Sequence, residues 1–101
     1  MDFIYMSDSD TTPSELTMKN AVKLSVKDDK PIMMDYWVES CEETPSIMIG
    51  VKSTDEKLLV RSEEEFTSPI SKIFKVSEEY IIVTENSIYI TSCKIPTRRI
   101  S

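Results

Sequence analysis

The chain has 101 residues, 40% of them hydrophobic and 30% charged, with 18 acidic against 12 basic side chains and no histidine. That length allows one domain with one modest core, and the hydrophobic content is above that of chains that stay disordered. A net charge of −6 has the wrong sign for neutralising phosphates. The missing histidine removes the commonest general base and transition-metal ligand, so neither nucleic-acid binding nor most hydrolytic chemistry is expected.

At the N-terminus, residues 3–6 (Phe3, Ile4, Tyr5, Met6) suit a short strand or a hydrophobic arm. The charge at position 2 and the brevity of the apolar run do not fit a signal peptide, and no run approaches the roughly 20 residues of a membrane span. Residues 1–12 are therefore expected as an N-terminal arm, 13–94 as the β-rich domain and 95–101 as a C-terminal tail. Thr12-Pro13-Ser14-Glu15 reads as a helix start, with Thr12 as N-cap and Pro13 in the first turn. From Leu16 onward apolar residues then fall on even positions, a period of two that predicts a strand over 21–27.

Asp28-Asp29-Lys30-Pro31 predicts a chain reversal, because Pro31 disfavours helix at Lys30 and aspartate side chains bond the local backbone. A return strand over 32–38 would complete a β-hairpin. Five further apolar stretches follow, at 47–52, 57–61, 70–76, 80–84 and 87–91, each ended by a polar cluster, and this spacing predicts an antiparallel meander. The single glycine, Gly50, inside the first of them marks a bulge or a close backbone approach. In 80–84 both faces are apolar, which predicts the central strand, and Thr84-Glu85-Asn86-Ser87 predicts a two-residue turn with Asn86 at positive φ. The expected fold is mainly β: a small antiparallel meander or SH3-like, partly open barrel, preceded by a β-hairpin and at most one short helix.

Chemistry-bearing motifs are few. Asp8-Ser9-Asp10-Thr11-Thr12 resembles the nucleophile loop of haloacid dehalogenase phosphatases, but that fold needs an α/β sheet longer than this whole chain. The stretch 30–41, ending at Cys41, resembles the first core strand of thioredoxin, but Thr44 stands where the resolving cysteine would be. Cys41 and Cys93 read as reduced thiols, able to bridge only if the fold brings their strands together. No catalytic residue, cofactor or metal ligand is assigned, and an enzyme is not expected.

What remains is a set of contact residues. Trp37 and Phe66 are candidate anchors, because buried aromatic side chains dominate contact energies. Glu63, Glu64 and Glu65 form an acidic cluster suited to charge complementarity, although lysines such as Lys52 and Lys57 interrupt the acidity of the surface. Phe3 and Tyr5 in the arm and the dibasic Arg98 and Arg99 in the tail complete the set.

Residues 67–70 (Thr67, Ser68, Pro69, Ile70), Glu79-Tyr80-Ile81-Ile82 and Thr84-Glu85-Asn86-Ser87-Ile88-Tyr89 resemble the closing hairpin of small β proteins of tailed bacteriophages and other large DNA viruses. The resemblance covers about a quarter of the chain and implies a viral origin and a binding role, in the virion or against a host component in its cytoplasm. The expectation is a non-enzymatic structural or accessory virion protein acting through protein–protein contacts, self-association included, with neither nucleic acid nor membrane as its partner. The alternative is a small acidic inhibitor that blocks a host defence protein.

Overall fold

A computed structural model describes residues 12–100. The predicted 3–6 strand and the Asp8 to Thr11 part of the phosphatase-like motif lie outside them. Helix α1 (Glu15–Asp28) is followed by strand β1 (Ile32–Met33), a one-turn helix α2 (Trp37–Ser40), and strands β2 (Met48–Val51), β3 (Lys57–Val60), β4 (Ile70–Val76), β5 (Glu79–Thr84), β6 (Ile88–Ser92) and β7 (Thr97–Arg99). Over the described residues the protein is mainly β, with two mixed sheets and no closed barrel. One sheet has four strands in the order β1-β6-β5-β4, the other three in the order β3-β2-β7.

The predicted 21–27 strand is helix instead. Ser14, not Thr12, is the N-cap: its hydroxyl accepts from the Thr17 amide at 3.2 Å. Glu79 reinforces the start from across the fold, its carboxylate accepting from the Ser14 amide at 3.3 Å and the Ser14 hydroxyl at 3.0 Å. An acidic group there also complements the helix dipole. Apolar residues at every second position match neither period cleanly. The helix buries Thr17 and Ala21 and leaves Val26 78% exposed. It ends where the reversal was expected, with Asp29 in the left-handed region at φ 53°.

The expected hairpin therefore does not form. Ile32 and Met33 survive as β1, but they pair in parallel with Ile88 and Tyr89 of β6, at the edge of the larger sheet. The backbone then turns into α2, ended by Cys41, so the thioredoxin-like stretch is not a continuous strand. All five later strands form within a residue or so of the predicted bounds. They split between the sheets: β2 and β3 make one antiparallel hairpin, β4, β5 and β6 a three-stranded meander.

β5 is an inner strand of its sheet, as its two apolar faces required. Ile81 and Val83 face α1 and pack with Ala21, Trp37, Ile88 and Ile90. Ile82 faces the other way and packs with Tyr36, Ile47, Ile49, Leu59 and Ile95 beneath the smaller sheet. The molecule is thus three layers, with the four-stranded sheet buried on both faces. A register shift between Ile70 and Lys72 lets Ile70 and Ile73, an odd number of residues apart, face the same core.

Turn chemistry differs from expectation in one place. The chain does reverse at Glu85 and Asn86, but Asn86 is not at positive φ. The Thr84 hydroxyl clamps the turn, accepting from the Ser87 amide at 3.1 Å and the Asn86 amide at 3.3 Å. The left-handed positions among the described residues are Asp29, Asp55 and Ser77.

Candidate partner-binding site

The smaller sheet has an inner face that closes the second core and an outer face that does not. Along β2, Ile49 points inward, and Met48 and Gly50 lie on the other side; opposite them in register stand Val60 and Leu58 of β3. Arg98 of β7 is opposite Gly50. Residues 95–99, expected as a tail outside the domain, are part of it: Ile95 is buried and β7 runs parallel to β2. Ile100 then folds over Gly50, where a Cβ would come within 2.7 Å of the Ile100 Cδ1 and 3.0 Å of the Val60 Cγ2. The sole glycine is there for close approach, one of the two roles its strand position suggested.

After β3 the chain makes a short loop that returns it to the same face. The Arg61 amide donates to the Glu65 carbonyl at 2.8 Å, and the Ser62 hydroxyl accepts from the amides of Glu64 and Glu65 at 3.3 and 3.1 Å. Phe66 then bridges to Val60, and Thr67 locks the return, its amide donating to the Leu59 carbonyl at 2.9 Å and its hydroxyl accepting from the Leu59 amide at 3.1 Å. This holds Glu63 and Glu64 at an exposed tip.

The result is a groove of about 650 Å³ with Met48, Leu58, Val60, Phe66 and Ile100 as its apolar lining, Leu58 and Val60 being buried at its base, and with Lys52, Arg61 and Glu63 among its polar lining residues. Phe66 is 55% exposed, which for an aromatic side chain on a sheet face leaves a large apolar surface to water. Arg61 is anchored, pairing with Glu39 at 2.7 Å and Glu65 at 3.1 Å. Arg99 donates to the Lys52 carbonyl at 3.1 Å and to Asp55 at 3.4 Å. Glu63, Glu64 and Arg98 have no ion-pair partner among the described residues.

Of the residues singled out in the sequence, the fold places Phe66 and Glu63 in this groove, Glu64 and Glu65 in the loop that carries them, and Arg98 and Arg99 on the far strand of the same sheet. Trp37 stands apart: it is only 6% exposed and belongs to the core under α1, so it is not an exposed anchor. Phe3 and Tyr5 lie outside the described residues. Met48, Leu58, Val60 and Ile100 were not singled out, since their strands read as ordinary core strands. The hint was that β3 has apolar residues at consecutive positions 58, 59 and 60, so at least one must face away from the inner core.

Two other concavities lie elsewhere on the surface. One, of about 830 Å³, lies beside α1 and is lined by Pro13, Leu16, Met18, Val22 and Met34. The other, of about 420 Å³, brings Cys41 and Cys93 to one lining with Trp37, Glu78, Glu79 and Lys94, and neither cysteine is in a disulfide. Among the described residues no group of three or more His, Cys, Asp or Glu side chains is placed to hold a metal ion, and no helix is long and apolar enough to cross a membrane. No protein-family model, curated protein or solved structure matches this chain.

Proposed function

We propose that the protein is a non-enzymatic binding module, a structural or accessory virion component that engages a protein partner through the outer face of its three-stranded sheet. The observation that carries the binding role is the groove itself: an apolar floor with a half-exposed Phe66 and a charged rim, on a sheet whose other face already closes the core. Such a patch resembles the centre and rim of protein interfaces, where a desolvated aromatic anchor is surrounded by polar residues. The virion assignment rests on the resemblance of the 67–89 segment to small β proteins of large DNA viruses.

Mass spectrometry of particles purified from the source virus tests it. The chain is expected in wild-type particles and absent from particles made with Phe66→Asp. A chain missing from wild-type particles overturns the virion assignment. The second reading, an acidic inhibitor of a host defence protein, is favoured by Glu63 and Glu64, which are exposed and unpaired among the described residues. It predicts that Glu63→Gln with Glu64→Gln slows association with that host protein, the wild-type on-rate falling steeply with salt.

A further inference from the structure

We infer that the occupant of the outer face of the β3-β2-β7 sheet is a second copy of this chain, packed face to face about a two-fold axis that runs along β2. The inference rests on the reading of this face as a protein-binding surface and names its partner. Three observations point to a copy of the same chain.

The first is the placement of charge. The unpaired acids Glu63 and Glu64 lie on the β3 side of the face, and Arg98 lies on β7 at its other side, with the apolar groove between them. A two-fold axis along the middle strand turns one copy over onto the other and exchanges left for right. The acidic loop of each copy then lies across the basic strand of its partner, and the apolar floors meet in the centre. Opposite charges at opposite ends of one apolar patch are what a self-complementary interface requires.

The second is the shape of that floor. Gly50, in the middle strand, carries no side chain, and Ile100 lies directly on it, so the centre of the face is covered by an apolar side chain. Phe66 stands at its edge, 55% exposed, and the two-fold places two such rings on either side of the shared centre.

The third argues against the competing arrangement. The free edge of β7 invites strand addition, but two copies joined antiparallel through Thr97–Arg99 would set Arg98 directly opposite Arg98 of the other copy. Like charges directly opposite on neighbouring strands are destabilising. Face packing avoids this and neutralises the same arginine.

The face is small. Strands of three or four residues, rising about 3.3 Å per residue and spaced about 4.8 Å apart, span roughly 13 by 14 Å. With the 62–66 loop added it stays well short of the roughly 800 Å² per partner of a tight complex, so the dimer is expected with a Kd on the order of 10 µM.

Sedimentation equilibrium of the full 101-residue chain up to about 100 µM tests the inference. A reversible dimer is expected, weakened roughly threefold to tenfold by Arg98→Glu alone and by Glu63→Arg with Glu64→Arg, and restored when all three changes are combined. Phe66→Asp is expected to leave a monomer. Unchanged circular dichroism identifies that as loss of the interface and not of the fold, and the charge variants, all at exposed positions, give the same answer if Phe66→Asp fails to fold. A monomer throughout the concentration range overturns the dimer. So does a dimer that both charge changes leave untouched, or one that the triple variant fails to recover. If the chain is monomeric and Phe66→Asp still keeps it out of virions, the binding face stands and only its occupant is wrong. If it dimerises through this face but is absent from particles, the dimer stands and the virion assignment falls.

Discussion

The guanidinium of Arg61 lies 4.4 Å from the centre of the Tyr36 ring. Tyr36 belongs to the link between β1 and α2, and Arg61 follows β3, so this contact joins the two sheets' connecting segments. The same arginine donates to the Asp35 carbonyl and pairs with Glu39 and Glu65, leaving it tied on three sides. Tyr36 in turn tilts against Tyr89 with ring centres 5.4 Å apart.

Replacing Arg61 with Met should lower stability by about 1–2 kcal/mol, the sum of a partly desolvated cation–π contact and half-exposed ion pairs. Lysine should recover little of it, because an ammonium does not stack flat on the ring or donate in a fork to several acceptors at once. Urea unfolding of both variants measures the difference, and a fully stable Arg61→Lys would count against the stacking contribution.

Alkaline pH should weaken the fold through Tyr36. Burial raises its hydroxyl above the ordinary value of 10.0, and the Arg61 guanidinium pulls in the opposite direction without offsetting it. A raised value means that the folded state holds the proton more tightly than the unfolded state does. The associated stability is therefore fully present below pH 10.0 and is lost as pH rises through the raised value. Urea midpoints for wild type and Tyr36→Phe should run together at neutral pH, with the wild type falling faster above the ordinary tyrosine value. Parallel curves would show that Tyr36 ionises equally in both states.

Ile82→Asp should leave no folded protein at room temperature. Ile82 is fully buried in β5, and a carboxylate there lacks any partner, a cost of several kcal/mol against a small domain's total stability. Val26→Asp, on the exposed side of α1, should stay within about 0.5 kcal/mol of wild type. Circular dichroism and thermal melting distinguish the two, and a folded Ile82→Asp protein would mean that β5 is not the shared inner strand.

Glycine should help at Asp55 and Ser77 and not at Asn86. The first two sit at φ 70° and 54°, where a side chain is strained, so each change is expected to raise stability by a few tenths to about 1 kcal/mol. Asn86→Gly should gain nothing, since its turn is held by the Thr84 hydroxyl. Melting temperatures of the three single variants settle the comparison.

The five later strands were legible because each carries apolar residues bounded by polar clusters, and the double-sided character of 80–84 correctly marked an inner strand. The division into two sheets was not legible: nothing local in 61–69 shows that the chain crosses from one layer to another. The helix at Glu15–Asp28 was misread because its apolar residues recur at every second position, while its start is stabilised by Glu79, 64 residues beyond Glu15 in the chain. The groove was half legible, through Phe66 and the glutamates. Its floor was not, because inner and outer faces of a strand are told apart only once its neighbours are known.

Because alternate residues of β5 serve opposite sides of one sheet, neither layer can be peeled away without wetting the other. The molecule also carries its own optical reporters for this: Trp37 sits on the helix side, and Tyr36 and Tyr89 on the far side. Tryptophan fluorescence and tyrosine absorbance, followed in one denaturation experiment, would therefore trace a single superimposable transition, with both compartments opening as one cooperative unit.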